Sequence, residues 1–305
     1  MGLPQSLWRE REQALMGKSA APRRENAFFR RMAHWGALSG PRSLVRFSPK
    51  PIGAAFGVAL PELRARIVRN LRRVHGPRAA WREQLDAVET LANYAACFAE
   101  AIASGRPDAA PRVAVEGEAR LKSALSAGGV VLVTAHVGPW ELTAQLLGRE
   151  LQADVMLVMQ REPNAEAREL QDHHRGERGL RVLHIGDHPT DALPLIAHLK
   201  KGGVAALQLD RVPPSGRVLD VSLFGAPFRA PEGPFRLASL SGAQVLPVFA
   251  RRDGFFDYAL TVSEPIALGR RSSAEALRAG AQQAVSAMQA WVEQCPTQWF
   301  HFSDD

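Results

Sequence analysis

A chain of 305 residues that is 46% hydrophobic and 23% charged can bury one large core or two small ones, which excludes a disordered chain. Its two cysteines, Cys97 and Cys295, exclude a disulfide framework and a cysteine-rich metal centre, so a reducing compartment is expected. The net charge of +7 is uneven: residues 1–80 carry 16 Lys and Arg against 4 Asp and Glu, a net of +12, while residues 81–305 carry 22 against 27, a net of −5. A basic segment of this kind suits anionic lipid or nucleic acid, or is an arginine-rich solvated helical face.

The opening MGLPQSLWREREQALMGKS has charges where a signal peptide needs an apolar run. Met1-Gly2 with Ser6 fits the loose myristoylation pattern, with Pro4 against it. The MGKS within it imitates the end of a phosphate-binding loop, but Glu12 stands where the first glycine belongs and no strand precedes it. No stretch reaches the roughly 18 uncharged apolar residues of a membrane-spanning helix. PIGAAFGVAL, residues 51–60, is uncharged but short, and suits a membrane interface or a core. PELRARIVRNLRRVHG has Leu63, Ile67, Leu71 and Val74 at helical spacing with arginines on the other face. Pro61 opens that helix and Gly76 closes it. WREQLDAVETLANYAACFAEAIASG predicts a second long helix, stopped by Gly105 and Pro107. Residues 1–108 thus read as a helical, basic, membrane-docking segment, and residues 109–305 as a separate core.

In that core short apolar runs (VVLVTA, VMLVM, RVLHIG, VAALQLD, VLPVFA, YALTVSE) alternate with helical stretches (ELTAQLLGREL, AEARELQDHHRGERG, DALPLIAHLKKG, PFRLASLSG). A last helix, AEALRAGAQQAVSAMQAWVEQC, precedes PTQWFHF. The alternation predicts an α/β fold, with a mixed, largely parallel sheet flanked by helices.

Sites in such sheets form beyond the carboxyl ends of strands. In VVLVTAHVGPWEL, His136 stands at that place. Pro139 suits the first turn of the next helix, with Gly138 as its N-cap and Glu141 near the third helical position. A carboxylate on one ring nitrogen fixes the tautomer and makes the other nitrogen a better base. The helix amino terminus favours a developing oxyanion. Glu141 is equally suited to a capping box, and His136 to a satisfied core histidine.

The block TAHVGPWEL, histidine then four residues then an acid, resembles the H-x4-D/E motif of the glycerolipid acyltransferase superfamily, and within it the bacterial lipid A biosynthesis acyltransferases of lauroyl/myristoyl type. VMQREPN, with Arg161 and Asn164, resembles the second block of that family. LQLDR and VSLFGAPFRAPEGPFRLASLSGAQVLPVFARR resemble the third and fourth. PTQWFHF resembles the Pro-x-Gln-Trp ending. The resemblance spans roughly residues 110–302. It implies transfer of an acyl chain from an acyl-carrier-protein or acyl-CoA thioester to a hydroxyl of a (glyco)lipid acceptor, with no cofactor; the basic first 80 residues add the expectation of peripheral docking on an anionic surface, the cytoplasmic face of the bacterial inner membrane. His136 would take the hydroxyl proton and Glu141 would orient His136. Arg161, Asn164 and Arg211 would contact substrate, and Asp210 would order the site. Members carry an amino-terminal membrane helix, which is not seen here. Some relatives place an acid after the Phe-Gly of the third block; here that position is Ala226, with Glu232 either supplying the charge or capping the following helix.

Other constellations carry less. His184, Asp187 and His188 sit in a Gly- and Pro-bounded loop without assured metal geometry. His173 and His174 lie in a polar stretch, and no metal is expected. The absence of G-x-S-x-G disfavours a serine hydrolase. A thioesterase using the same His136/Glu141 pair on water, and a non-catalytic membrane-surface protein, are the alternatives. The arginines of the first 80 residues lack interleaved stacking aromatics, which disfavours single-stranded nucleic acid.

Overall fold

The computed structural model describes residues 34–143, 147, 154–160, 181–185, 189–212 and 216–303. After a helical stretch at residues 34–39, the described amino-terminal helices are α1 (Arg42–Phe47), α2 (Pro49–Ala59), α3 (Pro61–His75) and α4 (Ala80–Ala103). Pro61 opens α3, and Gly76, at φ +74°, ends it, as the sequence predicts. The uncharged stretch that begins at Pro51 lies in α2 and packs closely on α4. A Cβ on Gly53 would lie 2.4 Å from the Leu91 carbonyl oxygen of α4, so the glycine lets the two backbones touch. The opposite face of α2 is exposed through Ile52, Phe56 and Val58.

The core strands are β1 (Arg112–Glu116), β2 (Val130–Thr134), β3 (Val155–Gln160), β4 (Arg181–Ile185), β5 (Val204–Gln208), β6 (Val218–Leu223), β7 (Ala226–Pro231), β8 (Gln244–Gly254) and β9 (Asp257–Val262). The intervening helices are α5 (Glu118–Ala127), α6 (Leu193–Lys200), α7 (Gly233–Ser241) and α8 (Ala274–Gln294). Seven strands pair in the order β1-β9-β8-β2-β5-β3-β4. All neighbours are parallel except β8 and β9, whose antiparallel pairing makes the sheet mixed. The α/β expectation therefore holds.

β2 lies in the middle and all five of its residues are buried. Its alternation divides the core. Val131 and Val133 face the layer that includes Leu195, Phe235, Ala281 and Met288, while Val130 and Leu132 face Leu121, Leu246 and Leu260. Burying each such side chain contributes roughly 1.5–3 kcal/mol, which fixes the strand's register and so the place where the chain leaves the sheet.

β6 and β7 form a separate antiparallel hairpin that the sequence reading did not separate from its surroundings. Its two-residue turn is Phe224-Gly225, both at positive φ. The mirror-image turn matches the twist of the strands, although Asn-Gly is its usual signal. Gln282 and Gln289 of α8 hold the hairpin: Ser222 N–H donates to Gln282 Oε1 and Phe224 N–H to Gln289 Oε1, each at 2.8 Å. Glu100 of α4 joins the helical segment to the sheet, accepting from Arg252 Nη2 at 2.7 Å and from the Tyr258 hydroxyl at 2.7 Å. The helix expected at 141–151 lies partly, and the one expected at 165–179 wholly, outside the described residues. Among the described residues, no helix is long and apolar enough to cross a membrane.

Candidate active site

β2 and β5 run parallel with Thr134 opposite Gln208. Each strand then continues by two residues, which brings His136 beside Asp210. The ladder extends into this region through Leu209 N–H, which donates to the Thr134 carbonyl at 2.7 Å. Asp210 Oδ1 lies 2.8 Å from His136 Nδ1, and Asp210 Oδ2 accepts the His136 backbone N–H at 3.0 Å. Asp210 is buried at 1% exposure and His136 at 9%.

The carboxyl-terminal segment clamps the same place. Val137 and Trp299 form an antiparallel bridge. Phe300 N–H donates to the His136 carbonyl at 2.7 Å, and Gly138 N–H donates to the Gln298 carbonyl at 2.8 Å. Both backbone groups of His136 are therefore held, and so is one ring nitrogen. Trp299 Nε1 donates to Asp210 Oδ2 at 3.3 Å. Gly138 is required where it stands: its φ is +46°, and a Cβ would lie 2.1 Å from the Ala250 carbonyl oxygen, which no other residue could accept without moving the histidine.

The charge state follows from this geometry. Burial works to raise the Asp210 carboxyl, but the charge of His136 and its hydrogen bond, with His301 behind them, outweigh it and hold the group well below its usual 3.8. An ionised carboxylate only accepts, so Nδ1 of His136 carries the shared proton, and in the neutral ring that leaves the lone pair on Nε2. Among the described residues, no hydrogen bond occupies Nε2. The Trp140 ring meets the imidazole edge-on, 5.3 Å between centroids. A ring held in this way, with Asp210 on Nδ1, is able to accept a proton at Nε2.

The sequence reading paired His136 with Glu141, and here the structure differs. The carboxylate on Nδ1 is Asp210, which the sequence reading expected to order the site without assigning it to His136. Residues 138–139 form a turn and the helix starts at Trp140, so Glu141 stands in its first turn. Half-buried, Glu141 lines a shallow pocket with Trp140, Tyr94, Phe98 and Phe300, against α4. The five-residue spacing made Glu141 look near, but the strand register sets a residue 74 positions away on the ring nitrogen. That register was readable only after the order of β2 and β5 was known.

Arg161 and Asn164 lie outside the described residues. Arg211 follows Asp210 and is exposed. Glu232 precedes α7 and is buried, but its side chain makes no capping hydrogen bond. It pairs instead with Arg236 one turn on, at 2.8 Å from Nε, and with Arg217 at 4.0 Å. His301, which the sequence reading did not single out, lies 3.8 Å through Nδ1 from Asp210 Oδ2. Among the described residues no group of three or more His, Cys, Asp or Glu could hold a metal ion.

The family model for bacterial lipid A biosynthesis acyltransferases matches residues 17–304. No curated protein matches the chain. Among solved structures the chain is similar to the crystal structure of the 1-acyl-sn-glycerophosphate (LPA) acyltransferase PlsC from Thermotoga maritima, at 16% identity and a TM-score of 0.38, over 80% of this chain and 97% of that one.

Proposed function

The chain belongs to the bacterial lipid A biosynthesis acyltransferase family, and from that premise we propose that it moves a fatty acyl chain from an acyl-carrier-protein or acyl-CoA thioester to a hydroxyl of a (glyco)lipid acceptor. The observation that carries the reading is Asp210 on Nδ1 of a nearly buried histidine at the carboxyl end of the central strand. His136 Nε2 takes the acceptor's hydroxyl proton as the oxygen attacks the thioester carbonyl. The new C–O bond forms, the C–S bond breaks, and the imidazolium returns its proton to the leaving thiolate. Asp210 fixes the tautomer and stabilises the imidazolium, the work first expected of Glu141. Glu141 is assigned to the wall of the neighbouring pocket, where substrate approaches.

Attachment to the membrane is part of the proposal. Trp35, Phe47, Ile52, Phe56, Val58 and Leu60 are exposed along a single stretch of the helical segment, next to exposed Arg46 and Lys50. An apolar face edged by cations suits insertion into an anionic leaflet without spanning it. The arginine face expected on α3, with Arg69, Arg72 and Arg73, is the other candidate for headgroup contacts. Arg72 is committed to Glu83, at 2.7 Å through Nε, so the docking face is assigned to α1 and α2 instead.

The test is a reconstitution. Purified protein is incubated with lauroyl-acyl-carrier protein or lauroyl-CoA and an underacylated lipid A, and the lipids are analysed by mass spectrometry. A new ester on the glycolipid supports the reading. Thiol release that is equal with and without acceptor identifies a hydrolase and contradicts it.

A further inference from the structure

Asp210 has a second histidine beside it. His301 is buried at 1% exposure. Its ring stacks on Trp299, with centroids 5.1 Å apart and planes 18° from parallel. Its Nδ1 points to the Oδ2 side of Asp210 at 3.8 Å, longer than a hydrogen bond but close enough for one charge to feel the other. Its backbone is fixed too, because Asn70 Nδ2 of α3 donates to the His301 carbonyl at 2.7 Å. Ser303 Oγ lies 3.4 Å from its Nε2. Among titratable groups, Asp210, from the segment after β5, faces it, and through Asp210 the ring of His136, from the segment after β2. Asn70, Trp299 and Ser303 are neutral. A buried histidine ring set against a buried carboxylate is costly to place unless the two interact.

We propose that His301 is a positioning residue that shares Asp210 with His136: it steadies the Oδ2 side of the carboxylate, draws off part of its charge, and so sets how strongly His136 holds a proton. The inference rests on the reading of His136 as the base. It does not place His301 on substrate, since Asp210 lies between them. The structure offers a reason for such an arrangement. A carboxylate devoted wholly to one imidazole makes it bind a proton too firmly to pass it to the leaving thiolate, whereas a shared carboxylate moderates it. Asp210 responds to both rings, which act in the same direction on its carboxyl. The shared geometry also links the helical segment to the base, from Asn70 through His301 to Asp210.

His301→Phe keeps a ring to stack on Trp299 and removes the nitrogen. His301→Asn returns an N–H donor near the place of Nδ1. Histidine-selective nitrogen NMR on the folded protein, free of substrate, follows the His136 ring across pH. In His301→Phe the His136 transition should move to higher pH by about half a unit or more, and His301→Asn should bring it back toward wild type. With lauroyl-CoA and an underacylated lipid A, kcat should fall roughly tenfold in His301→Phe with KM within about twofold. An unmoved His136 transition overturns the inference, even if kcat or stability falls, because that is the pattern of a purely structural residue. The position of the transition does not depend on how much of a sample is folded. His136→Ala, run beside these, separates the two claims: an inactive His136→Ala with an unmoved transition defeats only the role of His301, and an active His136→Ala defeats the base itself.

Discussion

Asp210 holds His136 by ring and backbone together, with Oδ1 2.8 Å from Nδ1 and Oδ2 accepting the backbone N–H at 3.0 Å. Replacing Asp210 by Asn keeps the shape and removes the charge, and an amide can present its own NH2 to Nδ1 and favour the wrong tautomer. Turnover of Asp210→Asn should therefore fall by about 10²–10⁴-fold with little change in KM, the pattern of an interaction made mainly in the transition state. Steady-state kinetics on lauroyl-CoA decide it, and a fall confined to KM would contradict the assignment.

Glu141→Gln should behave differently. The ring nitrogen of His136 belongs to Asp210, so loss of the Glu141 charge leaves the base oriented. Turnover should drop at least tenfold less than in Asp210→Asn, with any larger change in KM, because Glu141 lines the pocket beside the base. Equal losses in the two variants would return the orienting role to Glu141.

Much of this was legible before the structure. Strand-forming runs, the breaks at Pro61 and Gly76, and the histidine after VVLVTA all follow from local chemistry, and each stands where the pattern put it. The partner of His136 was not legible, for a physical reason. Which carboxylate meets a residue after one strand depends on which strand lies beside it, and strand order is a property of the whole sheet. The Phe224-Gly225 hairpin stayed hidden because its turn lacks the usual Asn or Asp. His301 was passed over because it sits among aromatic residues that read as core.

The docking proposal predicts where membrane affinity resides. Phe47 is 65% exposed and Ile52 51%, and moving such a side chain out of water is worth roughly 1.5–3 kcal/mol when burial is full. Phe47→Ser and Ile52→Ser should each weaken binding to anionic vesicles up to about tenfold, and added salt should weaken it further through Arg46 and Lys50. Unchanged sedimentation of the double variant with anionic vesicles would contradict the proposal.

The helical segment should also carry a specific acid sensitivity. Glu83 is 3% exposed, and the hydrogen bond from Arg72, with one from the Arg78 backbone, lowers its carboxyl from the usual 4.5 to about 2 against the opposing effect of burial. A depressed carboxylate contributes its stability fully above its unfolded value and loses it as pH falls through its folded one. The stability gap between wild type and Glu83→Gln should thus be constant above about pH 5.5 and shrink between about pH 4.5 and 2. Urea unfolding across that range measures it, and a gap that persists unchanged at pH 2 would contradict the pairing.

The central claim is that His136, poised by Asp210, is the base that activates the acceptor hydroxyl. The direct measurement is ester formation on an underacylated lipid A from a lauroyl thioester by His136→Ala, on a sample whose melting temperature shows it folded. A positioned general base contributes about 10²–10⁴-fold, so transfer by the variant should fall by at least about a hundredfold with its fold intact. Transfer within about tenfold of wild type by folded His136→Ala would contradict the account.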